Sequence, residues 1–182
     1  MNIKLKAVLT VPLLIGFFVC VIGLLGYLTG RILMIPVRLG MPSAVRFFGI
    51  AVLLSGFLFM GWLFKYRRPG EILVSTYVTI RKAVMRIQPE AISKRTESLI
   101  LTGPQMHVRH PLYFAVVLLL LGWWLTLDYT FILLMAIAFF LWYNLVVIPF
   151  EEKELKALYP KEYEKYIKAV PRFFPSIKPR WP

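Results

Sequence analysis

The chain has 182 residues, of which 59% are hydrophobic, 15% aromatic and 17% charged, whereas an ordinary soluble domain carries about 25% charged residues. That composition excludes a soluble globular enzyme and describes an integral membrane protein in one compact unit. The net charge of +13 invites a nucleic-acid reading, which the distribution of the charge along the chain opposes.

In chain order, four apolar stretches reach the length needed to cross hydrocarbon, about 20 helical residues with a range of roughly 17 to 25: 7–28, 43–64, 111–127 and 129–150. Lys4 and Lys6 precede the first, which gives it the look of a signal peptide, but the run is too long and no clean cleavage site follows, so it is predicted to be a membrane anchor. The third is short. Asp128 is the only acid or base between Pro111 and Phe150 and marks a tight turn between spans three and four. Cys20 is the single cysteine and lies within the first span, as packing.

Of the 22 Lys and Arg residues, nineteen fall before the first span, between Lys65 and Arg109, or after Phe150. Four spans put those three segments on one side, which the positive-inside rule makes the cytoplasm, with both termini there. The basic charge then reads as a topology signal and as an anchor for anionic membrane lipids, with no nucleic-acid partner. The expected fold class is all-α: a polytopic helical membrane domain over 1–182, with a cytoplasmic loop at 65–110 and a cytoplasmic helical cap at 151–182.

In the loop, 71–85 mixes apolar and polar residues without a clean period, and Gly103-Pro104 signals a turn. In the cap, Leu155, Leu158, Tyr159, Tyr163, Tyr166 and Val170 recur every three or four residues and draw an apolar stripe on a helix. Pro160 predicts a break near Tyr159 and a restart at Pro160. The stripe fits either an interfacial helix lying on lipid or a cover packed over a cytoplasmic cavity.

The hairpin of spans three and four returns its polar ends to one side, so Arg109-His110-Pro111-Leu112-Tyr113 and Glu151-Glu152 are predicted to meet in one site. Each has a structural reading too. Paired glutamates suit the start of a helix, an Arg-His pair anchors at an interface, and Trp123, Trp124 and Trp142 serve as belt and packing residues. With two histidines in the whole chain and no nearby thiolate, His107 and His110 give no metal site.

The order Leu101-Thr102-Gly103-Pro104, Arg109-His110-Pro111-Leu112-Tyr113, an apolar hairpin, Glu151-Glu152-x-x-Leu155, Tyr163-x-x-Tyr166 and Val170-Pro171-Arg172-Phe173-Phe174-Pro175 resembles the isoprenylcysteine carboxyl methyltransferase family and its phospholipid methyltransferase relatives. The resemblance covers roughly the last ninety residues of the chain. It implies a membrane-embedded enzyme that takes S-adenosyl-L-methionine from the cytosol and methylates a lipophilic small molecule or lipid acceptor. It further implies cofactor contacts from Glu97, Ser98, Leu99, Ile100, Gln105, His110, Pro111, Leu112, Tyr113 and Glu151, with Arg109 and Glu152 in catalytic roles. Those residue types suit the cofactor: a carboxylate can hold its ammonium, an arginine its carboxylate, and Tyr113 with Pro111 can wall the adenosine.

Two departures bear on the acceptor. Gln105 stands where a tyrosine commonly follows, and Val147 stands where the prenylcysteine enzymes carry an arginine associated with the substrate carboxylate. A lipid amine, a lipid hydroxyl or a small apolar acid or thiol therefore all remain open. Two other classes compete. A sterol or enoyl reductase-like enzyme would share Arg-His-Pro-x-Tyr and use NADPH, although the double glutamate and Val-Pro-Arg-Phe-Phe-Pro tail do not fit it. A lipid-binding or transport module would use neither cofactor.

Overall fold

In the structure, a computed structural model, residues 3–84 and 101–181 are described. The helices are α1 (Ile3–Ile32), α2 (Ser43–Tyr66), α3 (Pro69–Val84), α4 (Pro111–Leu127), α5 (Thr130–Trp142), α6 (Ile148–Leu158) and α7 (Pro160–Ala169). A short 3-10 turn covers Gly103–Met106 and a π-helical stretch covers Tyr143–Val147. The described residues contain no β-strand beyond one isolated bridge between Arg38 and Tyr129. The expected all-α membrane architecture is what the chain adopts. The helices Ile3–Ile32, Ser43–Tyr66 and Thr130–Leu158 are long and apolar enough to cross a membrane, and Pro111–Leu127 is a shorter apolar helix.

By contacts the chain forms two compact units. One comprises Leu13–Gly61 and Leu112–Tyr143 and is built from the apolar parts of α1, α2, α4 and α5. Small residues set its packing, as expected where helices meet without water to drive them together. A Cβ placed on Gly122 would lie 2.7 Å from the backbone of Leu53, and one on Gly49 would lie 2.7 Å from Leu125, so α2 and α4 touch at backbone distance. Ile132, Met135 and Phe139 form its core with Ile22, Leu120 and Trp124. Phe17, Phe47 and Leu58 remain exposed, which suits lipid rather than water as the surrounding solvent.

One turn in this unit is tied down by side chains. Asp128 takes φ +60°, a left-handed conformation that Asp tolerates better than most residues. Its carboxylate accepts backbone N–H groups from Leu39 (3.2 Å), Gly40 (2.9 Å) and Met41 (3.0 Å). Next to it the Thr130 hydroxyl donates to the Pro36 carbonyl at 2.6 Å, and the Arg38 guanidinium covers the Tyr129 ring at 4.4 Å. The lone acid between spans thus serves to fasten the α1–α2 connection to the α4–α5 turn.

The other unit comprises 1–12, 62–111 and 144–182. Its helix α3 occupies the stretch that shows no clean period, started by Pro69 and by Glu71, an acid in the first turn opposite the helix dipole. α6 ends at Leu158 and α7 starts at Pro160, with Tyr159 out of helical geometry at φ −132° and ψ 61°. That is the break the proline dictates.

The stripe across this break points inward. Tyr163, Tyr166 and Val170 are buried and pack with Leu101, Leu155, Tyr159, Ile167, Ala169 and Trp181. The interfacial-helix alternative is therefore replaced by a packed core, to which each fully buried large side chain contributes roughly 1.5–3 kcal/mol. The Tyr166 hydroxyl donates to the Gln105 carbonyl at 2.6 Å, fastening α7 to the 3-10 turn. That turn depends on Gly103, whose φ of +63° and contact with the Tyr66 ring, 2.5 Å from any added Cβ, leave no room for a side chain.

Candidate active site

Four side chains that the sequence pairs at long range converge in the second unit. His110, just ahead of α4, is buried; its Nε2 lies 3.3 Å from Glu152 Oε1 and its Nδ1 lies 3.5 Å from Glu151 Oε2. Arg109 Nη1 lies 2.8 Å from Glu152 Oε1. Both glutamates follow directly on the last apolar stretch, in the first turns of α6. The helix enters α6 through the π-helical stretch, and Pro149 accounts for it: a proline has no N–H for the usual backbone bond, and its ring crowds the carbonyl four residues back. Helix thus continues from the membrane segment through Glu151 and Glu152 to Leu158, where the sequence suggests a span ending at 150.

A fifth residue completes the cluster. Arg172 grips Glu152 with both arms of its guanidinium, Nε donating to Oε1 at 3.2 Å and Nη2 donating to Oε2 at 2.6 Å. Arg172 lies in the Val170–Pro175 tail motif, which by itself points to no role for it. No periodic signal links it to Glu152, twenty residues earlier across a helix break.

The electrostatics follow from this crowding. Burial works against charging His110, but hydrogen bonds and charge attraction from Glu151 and Glu152 outweigh it and raise its pKa above 6.5. Partial burial likewise opposes ionisation of Glu152. The His110 and Arg172 hydrogen bonds and the charges of Arg109 and Arg172 prevail and lower its pKa from 4.5 to about 2. Tyr163 is fully buried, and desolvation with the neighbouring Glu152 charge pushes its phenol up to about 12.

Several buried polar atoms around the cluster lack a hydrogen bond: Nε and Nη1 of Arg109 and the Tyr163 hydroxyl. The contact of Arg109 with Glu152 is thus held as an ion pair at 2.8 Å, and the Tyr163 phenol also lies within the influence of Arg109.

The other expected residues distribute as follows. Gln105 lies in the 3-10 turn and offers its carbonyl to Tyr166. Pro111 opens α4 at its first position and is buried. Leu112 and Tyr113 belong to the apolar unit, where the Tyr113 ring stacks on Tyr143 with centroids 4.4 Å apart. Glu97, Ser98, Leu99 and Ile100 lie outside the described residues. Among the described residues no group of three or more metal-ligating side chains exists.

The phospholipid methyltransferase family profile matches residues 45–162, more than half of the chain, which therefore belongs to that family. Comparison with curated proteins and with solved structures returned no match. Membership makes the chain an integral membrane methyltransferase acting on lipid-like substrates.

Proposed function

We propose that the chain transfers a methyl group from S-adenosyl-L-methionine to a lipophilic acceptor that reaches the site from the bilayer. The observation that carries this reading is the convergence of Arg109, His110, Glu151 and Glu152 from the two ends of an apolar hairpin. S-adenosyl-L-methionine supplies an electrophilic methyl group on a sulfonium. Displacement of that methyl by a nucleophile held in line needs alignment and exclusion of water more than it needs acid–base catalysis.

The residues divide the work. Glu151 is the more open carboxylate, with 28% of its side chain accessible against 12% for Glu152, and it is the one suited to hold an ammonium. Arg109, a planar guanidinium already paired with Glu152 at 2.8 Å, is the group suited to a carboxylate. Glu152 faces three cationic groups and titrates near 2, so at neutral pH it orients its neighbours and is a poor proton acceptor. If the acceptor is an ammonium, Glu151 is the better-placed receiver of its proton. The Arg-His-Pro segment and both chain ends are assigned to the cytoplasmic side on the charge distribution; cysteine labelling at Lys4, Asp128 and Lys178 should find only Asp128 outside.

The deciding experiment is binding by detergent-purified protein, comparing S-adenosyl-L-methionine with NADPH by calorimetry or thermal shift. Binding of the first alone is expected. Binding of NADPH alone would transfer the site to a reductase, and binding of neither would leave a lipid-binding module.

A further inference from the structure

The chain from 171 to 181 is laid against the segment that carries Arg109 and His110. Arg109 N–H donates to the Pro171 carbonyl (2.9 Å), His110 N–H to that of Arg172 (3.3 Å), Ser176 N–H to that of His107 (2.9 Å) and Arg180 N–H to that of Met106 (3.0 Å). The His107 Nδ1–H donates to the Ser176 carbonyl at 2.7 Å, and the His107 ring packs edge-on against Trp62. The tail is thereby registered residue by residue on the site's own backbone, and Arg172 is delivered to Glu152 from a fixed base.

What Arg172 does there follows from which oxygen each cation uses. Arg109 and His110 make their closest approaches to Oε1, whereas Oε2 accepts its hydrogen bond from Arg172. Rotation of a carboxylate about its last torsion is broad and nearly two-fold. Contacts to one oxygen leave that rotation open, while a planar guanidinium bonded to both oxygens closes it.

We propose that Arg172 is a positioning residue: by holding both oxygens of Glu152 it fixes the carboxylate plane on which His110 and Arg109 are aligned, and so shapes the site that receives cofactor and acceptor. The last step rests on the methyltransferase reading given above. Arg172 itself is 44% accessible along its side chain and is assigned no contact with reacting atoms.

The test separates positioning from mere proximity by a sign. His110 faces Glu151 and Glu152 from α6, and around those carboxylates stand Arg109, Tyr163 from α7 and Arg172 from the tail. Were Arg172 only a nearby cation, its removal would relieve repulsion and raise the His110 midpoint. If it holds Glu152 in place, its removal releases the carboxylate and the midpoint falls towards 6.5. The chain has two histidines, so imidazole NMR resonances of the full-length protein in detergent can be assigned by comparison with His110→Gln.

The expected result is a lower midpoint in Arg172→Met, partly restored in Arg172→Lys, which keeps the charge and loses the fork. A rise or no change in Arg172→Met overturns the proposal, and the thermal midpoint of each variant identifies one that has simply unfolded, in which case Arg172→Lys carries the comparison. Calorimetry with S-adenosyl-L-methionine completes a cycle: Arg172→Met should weaken binding roughly tenfold in the parent chain and less than twofold on a Glu152→Gln background. Fully additive losses also overturn it. A fallen His110 midpoint in a parent chain that binds no S-adenosyl-L-methionine would uphold the positioning role and sink the methyltransferase reading instead.

Discussion

His110 and Glu152 stand forty-two positions apart and meet at 3.3 Å between Nε2 and Oε1. Each changes the other's titration, one upward and one downward, so the pair is held together most firmly when both are charged. With the Arg109–Glu152 ion pair at 2.8 Å beside it, this contact joins the start of α4 to α6 through side chains that are largely buried.

The pH dependence of stability follows from the two shifts. A raised His110 pKa contributes stability that is complete below 6.5 and is lost as pH climbs through the raised value. The depressed Glu152 pKa contributes stability that is complete above 4.5 and is lost as pH falls towards about 2. Both contributions coexist between pH 4.5 and 6.5. His110→Gln should therefore lower the thermal midpoint most within that window and progressively less on the alkaline side. Thermal unfolding of both proteins in detergent from pH 4 to 9 provides the measurement, and a gap that stays constant into the alkaline range would contradict it.

Much of this site is legible in the sequence because hydrophobic length and proline chemistry act locally. The apolar runs announce α1, α2, α4 and α5; Pro160 announces the α6–α7 break; and an uncharged hairpin with one acid at its tip predicts that Arg109-His110 and Glu151-Glu152 will meet. What was not legible is what depends on distant partners. The use of Asp128 as a clasp for Leu39, Gly40 and Met41 needs the α1–α2 connection to come alongside, and no local pattern encodes that. The grip of Arg172 on Glu152 depends on where the tail turns after Val170. α3 was obscured because its side chains do not divide cleanly into two faces, even though Pro69 and Glu71 supply an adequate start signal.

The division of labour between the two glutamates can be tested with a neighbour as control. Lys153 is exposed on α6, while Glu151 faces His110 at 3.5 Å. Glu151→Gln should weaken S-adenosyl-L-methionine binding much more than Lys153→Ala. A charge-assisted hydrogen bond contributes about 1.5–3 kcal/mol, which corresponds to roughly ten- to a hundredfold in affinity. Equal effects in calorimetry would reduce Glu151 to a partner of the helix dipole.

The clasp at Asp128 makes a separate prediction about the apolar unit. Hydrogen bonding from Met41 most of all, then from Leu39 and Gly40 with help from the Arg46 charge, holds its pKa below 3.8 despite some desolvation. The stability it contributes is therefore complete above 3.8 and lost as pH falls below that value. Asp128→Ala should lower the thermal midpoint by a few degrees at neutral pH, and Asp128→Asn by less, because an amide oxygen keeps part of the acceptor geometry without the charge. Binding of cofactor by the folded Asp128→Asn protein should be unchanged. Loss of that binding would show that the clasp does more than fasten two connections.

The acceptor is the last question, and Val147 is the residue that addresses it. It is half-buried at the end of the π-helical stretch, one turn before Glu151, where the prenylcysteine enzymes that the chain resembles carry an arginine. Without that cation an acceptor carboxylate would lie unpaired at the membrane edge, where an uncompensated charge is costly. Farnesylcysteine analogues should then be poor substrates, and a neutral or amine-bearing lipid-like acceptor should be methylated better. An amine must lose its proton before attack, so activity towards it should rise between about pH 7 and 9. Val147→Arg should shift preference towards the carboxylate analogue. Radiolabelled methyl transfer to a panel of both acceptor types gives the answer. Efficient, pH-independent methylation of farnesylcysteine by the unmodified chain would mean that some other cation performs the arginine's task.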